Sequence, residues 1–207
     1  INTLKLLIND SYPIFAKDLI TTIKDKLNYL LLGSYVGMDS VVIYDLGTKL
    51  VKVLAKPAEI IGIVLFPVVA KNGALKVFLN GAKSIFLFTF FPTLICYIFL
   101  PQLVRFFIPG NTELFPLQLY LTVPVLLALS SFISSNYLIA FRKGKYVLYS
   151  IIITTISYIL VLGYFYFRNE LNSINSFVII AVLAYLTEFI YRLYILLNKT
   201  KFLSVSK

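Results

Sequence analysis

Long apolar runs dominate the chain, separated by short breaks rich in charge, glycine or proline. The runs are long enough to cross a hydrocarbon core, which takes about 20 helical residues. They are continuous rather than alternating, so they predict helices and not the strands of a barrel. Six spans are expected, over about 13–36, 41–70, 84–108, 116–141, 146–167 and 176–197. Asp10 and Ser11 offer N-cap chemistry for the first, and Pro13 fits a first helical turn. Gly33 and Gly37 mark its end, and Asp39–Ser40 can cap the second. Pro57 and Pro67 are expected to kink that second span. The stretch 71–83 reads as a loop, in which Leu75, Phe78, Leu79 and Ala82 predict a short interfacial amphipathic helix. The expected fold is therefore all-α: a polytopic membrane bundle of about six transmembrane helices. It comprises a lead-in over 1–12, a transmembrane lobe over 13–198 and a basic tail over 199–207.

Composition strengthens this picture. The chain is 59% hydrophobic, against about 45–50% for soluble domains, and its mean hydropathy is +0.89. The net charge of +10 would raise nucleic acid as a partner in a soluble domain. Here the positive charge sits in alternate loops, and no nucleic-acid motif accompanies it, so no nucleic-acid partner is expected. Lys71, Lys76 and Lys83 lie in one loop; Arg142, Lys143 and Lys145 two spans later; Lys199, Lys201 and Lys207 two spans after that. By the positive-inside rule both ends are expected to be cytoplasmic.

Histidine is absent, which removes Ser-His and His-metal catalytic sites and argues against an enzyme. Cys96 is the lone cysteine and reads as a packing residue. No cofactor is expected. The chain begins at Ile1 and its one methionine is Met38, so it reads as a piece of a longer protein; Ile1–Asp10 is not a signal peptide.

The internal charges carry the functional argument. Asp45, Lys49, Lys52, Lys56 and Glu59 follow spacings of four, three, four and three, which places them on one helical face. A charge at the bilayer centre costs about 2.5–3.5 kcal/mol, so this face is expected to line a protein interior or a water-filled cavity. In the first span Lys17, Thr21, Lys24 and Asn28 form one row, with Asp18, Thr22, Asp25 and Tyr29 beside it. The bland alternative is mutual neutralisation through pairs such as Asp45–Lys49 and Lys56–Glu59. The excess of lysine suits an anionic group such as phosphate or pyrophosphate. Tyr185, Glu188 and Arg192 share a face of the last span, where Glu188–Arg192 reads as an intrahelical pair. Coupling to a proton or sodium gradient, if present, has Asp25, Asp45, Glu59 and Glu188 as its candidates. Ser130, Ser131, Ser134, Ser135 and Asn136 read as residues for close helix packing and interhelical hydrogen bonds.

The order Pro13, Asp25-x-x-Asn28, Leu32-Gly33, Gly37, Tyr44, Lys49, Pro57 and Leu65-Phe66-Pro67, with the Arg142–Lys145 RKGK loop, resembles a known family. It is similar to the C-terminal half of polysaccharide repeat-unit flippases of the multidrug/oligosaccharidyl-lipid/polysaccharide exporter superfamily. The resemblance implies one lobe of a two-lobe, alternating-access transporter in the cytoplasmic (inner) membrane, whose missing N-terminal lobe would be its partner. It implies a polyprenyl-pyrophosphate-linked oligosaccharide as substrate, moved outward for surface polysaccharide such as O-antigen or capsule. It implies Lys24, Lys49, Lys52 and Lys56 as cavity cations, with Asn28 beside them. The family's cavity arginines stand here as lysines, which bind phosphate as point charges rather than forks. A multidrug or organic-cation exporter of the same superfamily is the first alternative. A membrane-bound glycosyl- or acyltransferase, or a purely structural subunit, follows behind it.

Overall fold

The computed structural model describes residues 2–72, 75–107 and 114–198. The helices are α1 (Asn2–Tyr35), α2 (Met38–Asn72), α3 (Leu75–Ile98), α4 (Leu100–Phe107), α5 (Phe115–Tyr120), α6 (Val123–Ile133), α7 (Gly144–Phe167) and α8 (Ile174–Asn198). A π-helical turn, Ser134–Ile139, extends α6. Among the described residues there is no strand. The protein is an all-α, multi-pass membrane bundle.

Five helical stretches among the described residues are long and apolar enough to cross a membrane: Met38–Lys71, Leu75–Ile98, Phe115–Ile139, Gly144–Phe167 and Ile174–Asn198. The expected first span is absent from that set. Its helix, α1, has the length, but Lys17, Asp18, Lys24, Asp25 and Lys26 fall within three turns of one another. Its packing is nevertheless inverted relative to a soluble helix. Phe15, Leu19, Ile23, Leu27 and Leu30 are exposed at near-helical spacing, while Lys24 and Asn28 are buried. That apolar row suits lipid, and Asp18, Thr22 and Lys26 are exposed beside it.

Three expectations at the helix ends are corrected. Asp10 and Ser11 do not cap α1, because the helix begins at Asn2 and carries Pro13 inside it. Proline removes a single N–H, which 34 helical residues tolerate. Gly33 lies within α1, and Gly37 alone makes the stop: its φ is +114°, a region closed to most side chains, and its N–H reaches back to the Leu32 carbonyl. The stretch 71–83 is not a loop with a separate interfacial helix, since α3 already starts at Leu75. Phe78 is 1% exposed and stacks on Phe132 with ring centroids 5.0 Å apart, which draws these turns into the bundle. Residues 73–74, 108–113 and the basic tail 199–207 lie outside the described residues.

The third and fourth spans are each broken. α3 stops at Ile98 and α4 restarts at Leu100, with Pro101 in its first turn. α5 and α6 are separated at Leu121–Thr122, where Pro124 opens the next helix. Elsewhere α1 packs between α2 and α7, α7 on α8, and α8 on α6, while α3 lies against α2 and α6. Two apolar cores result. One gathers Leu32, Tyr44, Leu117, Tyr120 and Phe177, and the other Phe78, Phe132, Tyr137, Val147 and Ile195.

Candidate functional site

Lys24 and Asn28 of α1 point into the bundle interior, where both are buried. Asn28 is the hub. Its Nδ2 donates to Tyr44 Oη of α2 at 2.6 Å, and its Oδ1 accepts from Tyr158 Oη of α7 at 3.0 Å. Tyr120 Oη of α5 donates to Tyr44 Oη at 3.3 Å, and the Thr48 hydroxyl lies 3.5 Å from Tyr120 Oη. Thus one amide joins three helices through tyrosine hydroxyls, and Tyr44 extends the network to a fourth. Amphipathic rings of this kind can sit in an apolar core only where the hydroxyl finds a partner.

Lys24 is 7% exposed. Its ammonium lies 3.9 Å from Asp25 Oδ1 and 5.5 Å from the centroid of the Tyr185 ring on α8. Asp25 is also within electrostatic reach of Lys52 and Glu188. Lys24, Asp25, Asn28, Tyr44, Tyr158 and Tyr185 line a space of about 10 Å³, enough for about one water. This part of the site is closed.

The α2 stripe is on the other side of that wall. Lys49 and Lys56 are exposed, with side chains 71% and 66% accessible. Lys49 Nζ sits 2.7 Å from Asp45 Oδ2, and Lys56 Nζ 2.6 Å from Glu59 Oε2. Tyr29 Oη donates to Asp45 Oδ1 at 3.2 Å, which ties α1 to the start of the stripe. Lys52 is exposed and has no carboxylate within 4.0 Å among the described residues. The five expected binding residues are therefore not gathered into one cavity. Lys24 and Asn28 are locked inside, whereas Lys49, Lys52 and Lys56 present an open face.

All four candidate coupling carboxylates have a cation beside them: Asp25 has Lys24, Asp45 has Lys49, Glu59 has Lys56 and Glu188 has Arg192. The last pair departs from a simple surface pair. Arg192 is 2% exposed, and its guanidinium bonds Ser150 Oγ of α7 and both the carbonyl and hydroxyl of Ser130 on α6. Its third nitrogen contacts Glu188. Ser130 of the fourth span makes an interhelical hydrogen bond of the kind expected there, and its partner is a buried charge.

Beside this layer lies a cavity of about 550 Å³, between α1, α2, α6 with its π turn, and α8. Lys17 and Glu59 are among its walls, with Phe66, Phe132, Ser131 and Ser134. Composition and spacing had not pointed to it. Tyr120, Tyr158 and Ser150 were also missed. Their signal in the sequence is weak: polar groups within apolar runs, one or two per span, whose partners lie on other helices. Among the described residues no group of three or more His, Cys, Asp or Glu is placed to hold a metal ion. No family model matches the sequence, and neither a curated protein nor a solved structure matches the chain.

Proposed function

We propose that this chain is one lobe of a membrane flippase for an anionic lipid-linked substrate, a polyprenyl-pyrophosphate-linked oligosaccharide. The observation that carries the reading is the open lysine face of α2. Lys49, Lys52 and Lys56 are exposed on a helix otherwise apolar enough to span a membrane. Facing lipid, such a row would be prohibitive; facing a water-filled path between two lobes, it is a cation-lined track. Lys52, with no carboxylate within 4.0 Å among the described residues, is the cation of this row most available to a phosphate.

In this reading the companion lobe covers the α2 face, the two ends of the chain lie in the cytoplasm of a cell with surface polysaccharide, and Tyr29, Asn28 and Tyr44 hold α1 against the track. An organic-cation exporter would call for free carboxylate. The pairing of Asp25, Asp45, Glu59 and Glu188 with cations supports the anion instead.

The test is flipping of a fluorescent polyprenyl-pyrophosphate oligosaccharide in proteoliposomes holding the complete two-lobe transporter, beside its Lys49→Ala/Lys52→Ala variant. Transport that is lost in the variant supports the substrate class and the track. Equal transport by both would discard the track, and transport by neither would discard the substrate.

A further inference from the structure

We propose that the 550 Å³ cavity between α1, α2, α6 and α8 is a binding site for a neutral sugar ring. This rests on the flippase reading and adds a second contact region to it, separate from the lysine track.

Position comes first. Along α2, Glu59, Ile63 and Phe66 continue the row of Asp45, Lys49, Lys52 and Lys56 at helical spacing, and all three line the cavity. The cavity therefore opens where the charged row ends. One ligand with an anionic group and a neutral group can lie along a single face of this helix.

The charge around the cavity excludes a second anion. Lys17 pairs with Asp18 at 3.0 Å, Glu59 with Lys56, and Arg192 with Glu188, so each charged side chain on the wall is compensated. What remains on offer is hydroxyl groups. Ser131 and Ser134 line the cavity, and their hydroxyls make no hydrogen bond among the described residues. Behind Ser135, Asn136 is fully buried with Oδ1 unpartnered. A hydrocarbon chain in this space would seal those serine hydroxyls away from water, at about 1–3 kcal/mol for each group left unsatisfied. A polyhydroxylated ring meets them with donors and acceptors of its own. Its apolar C–H face has Phe66 to lie against.

The backbone also departs from regular geometry at this wall. Ser134–Ile139 is π-helical, a rare conformation found frequently at functional sites. Opposite it, Gly62 presents no side chain to Asn136 and Ser135. The volume lies within the about 300–1,000 Å³ typical of small-molecule pockets.

The experiment is saturation-transfer NMR on the full chain in phosphatidylcholine nanodiscs. Methyl glucopyranoside and N-acetylglucosamine serve as sugar probes, farnesol as the hydrocarbon probe and inorganic pyrophosphate as the anion. A sugar signal is expected that weakens about tenfold in affinity in Ser131→Ala/Ser134→Ala and is unchanged in Lys52→Ala. Ser131→Leu, which fills the space without removing the arginine layer, should abolish it, and the circular-dichroism melting curve of each variant reports folding. No sugar signal, a signal equal in wild type and both serine variants, or displacement of sugar by farnesol would overturn the cavity assignment. Pyrophosphate binding that depends on Lys52 reads the lysine track independently. Its loss alone would count against the flippase reading, whatever the sugars do.

Discussion

Tyr158 Oη donates to Asn28 Oδ1 at 3.0 Å across 130 positions of chain, and this bond fastens α7 to α1. Asn28 spends its other polar atom on Tyr44, so a single side chain holds three helices. Asn28→Ala leaves two buried tyrosine hydroxyls without that partner and should lower stability by about 1–2 kcal/mol. Tyr158→Phe removes one bond and should cost about half as much. Thermal unfolding in detergent, followed by circular dichroism, gives both numbers. An unchanged midpoint for Asn28→Ala would mean the hub contributes nothing to holding α1.

Arg192 and Glu188 should behave as a buried ion pair. Arg192→Met alone strands Glu188, which is 7% exposed, and should cost about 3–5 kcal/mol. Arg192→Met with Glu188→Leu should recover most of that loss, because neither charge is then left unpaired. Urea titration of the single and double variants closes the cycle. Additive losses would show that the two charges are independent.

The lysine track should respond to the carboxylates that mask it. Asp45→Asn frees Lys49 and should strengthen binding of inorganic pyrophosphate severalfold, while Lys52→Ala should weaken it by a similar factor. Both effects should shrink as ionic strength rises, since these groups are exposed. Isothermal titration at low and high salt measures them, and a salt-independent affinity would count against the track.

Two glycines should part company. A Cβ at Gly81 would meet Leu65 Cδ1 at 2.5 Å and Phe132 Cζ at 2.9 Å, and Phe132 is already stacked on Phe78. Gly81→Ala should therefore destabilise by about 1–3 kcal/mol through overpacking. Gly163 has nothing within 4 Å of a Cβ and lies inside α7, so Gly163→Ala should be neutral or stabilise by up to about 1 kcal/mol. Melting temperatures of the two variants decide it.

By itself the sequence determined the class of fold and the face of α2 that carries charge. Runs of about 20 apolar residues must become helices in lipid, and a three-four spacing of charge can lie only on one side of a helix. Both are local properties, legible from period and composition. Where α3 begins was not legible, because Leu75 and Phe78 suit an interfacial helix as well as a buried one, and the choice was made by the ring of Phe132 on another helix. Tertiary structure likewise decided that Lys24 and Asn28 sit behind a wall of tyrosines while Lys49, Lys52 and Lys56 stay open. It turned Ser130 and Ser150 into partners of Arg192, from 62 and 42 positions away, and left a cavity beside them. Such pairings depend on which helices become neighbours, and helical periodicity within one span carries no record of that.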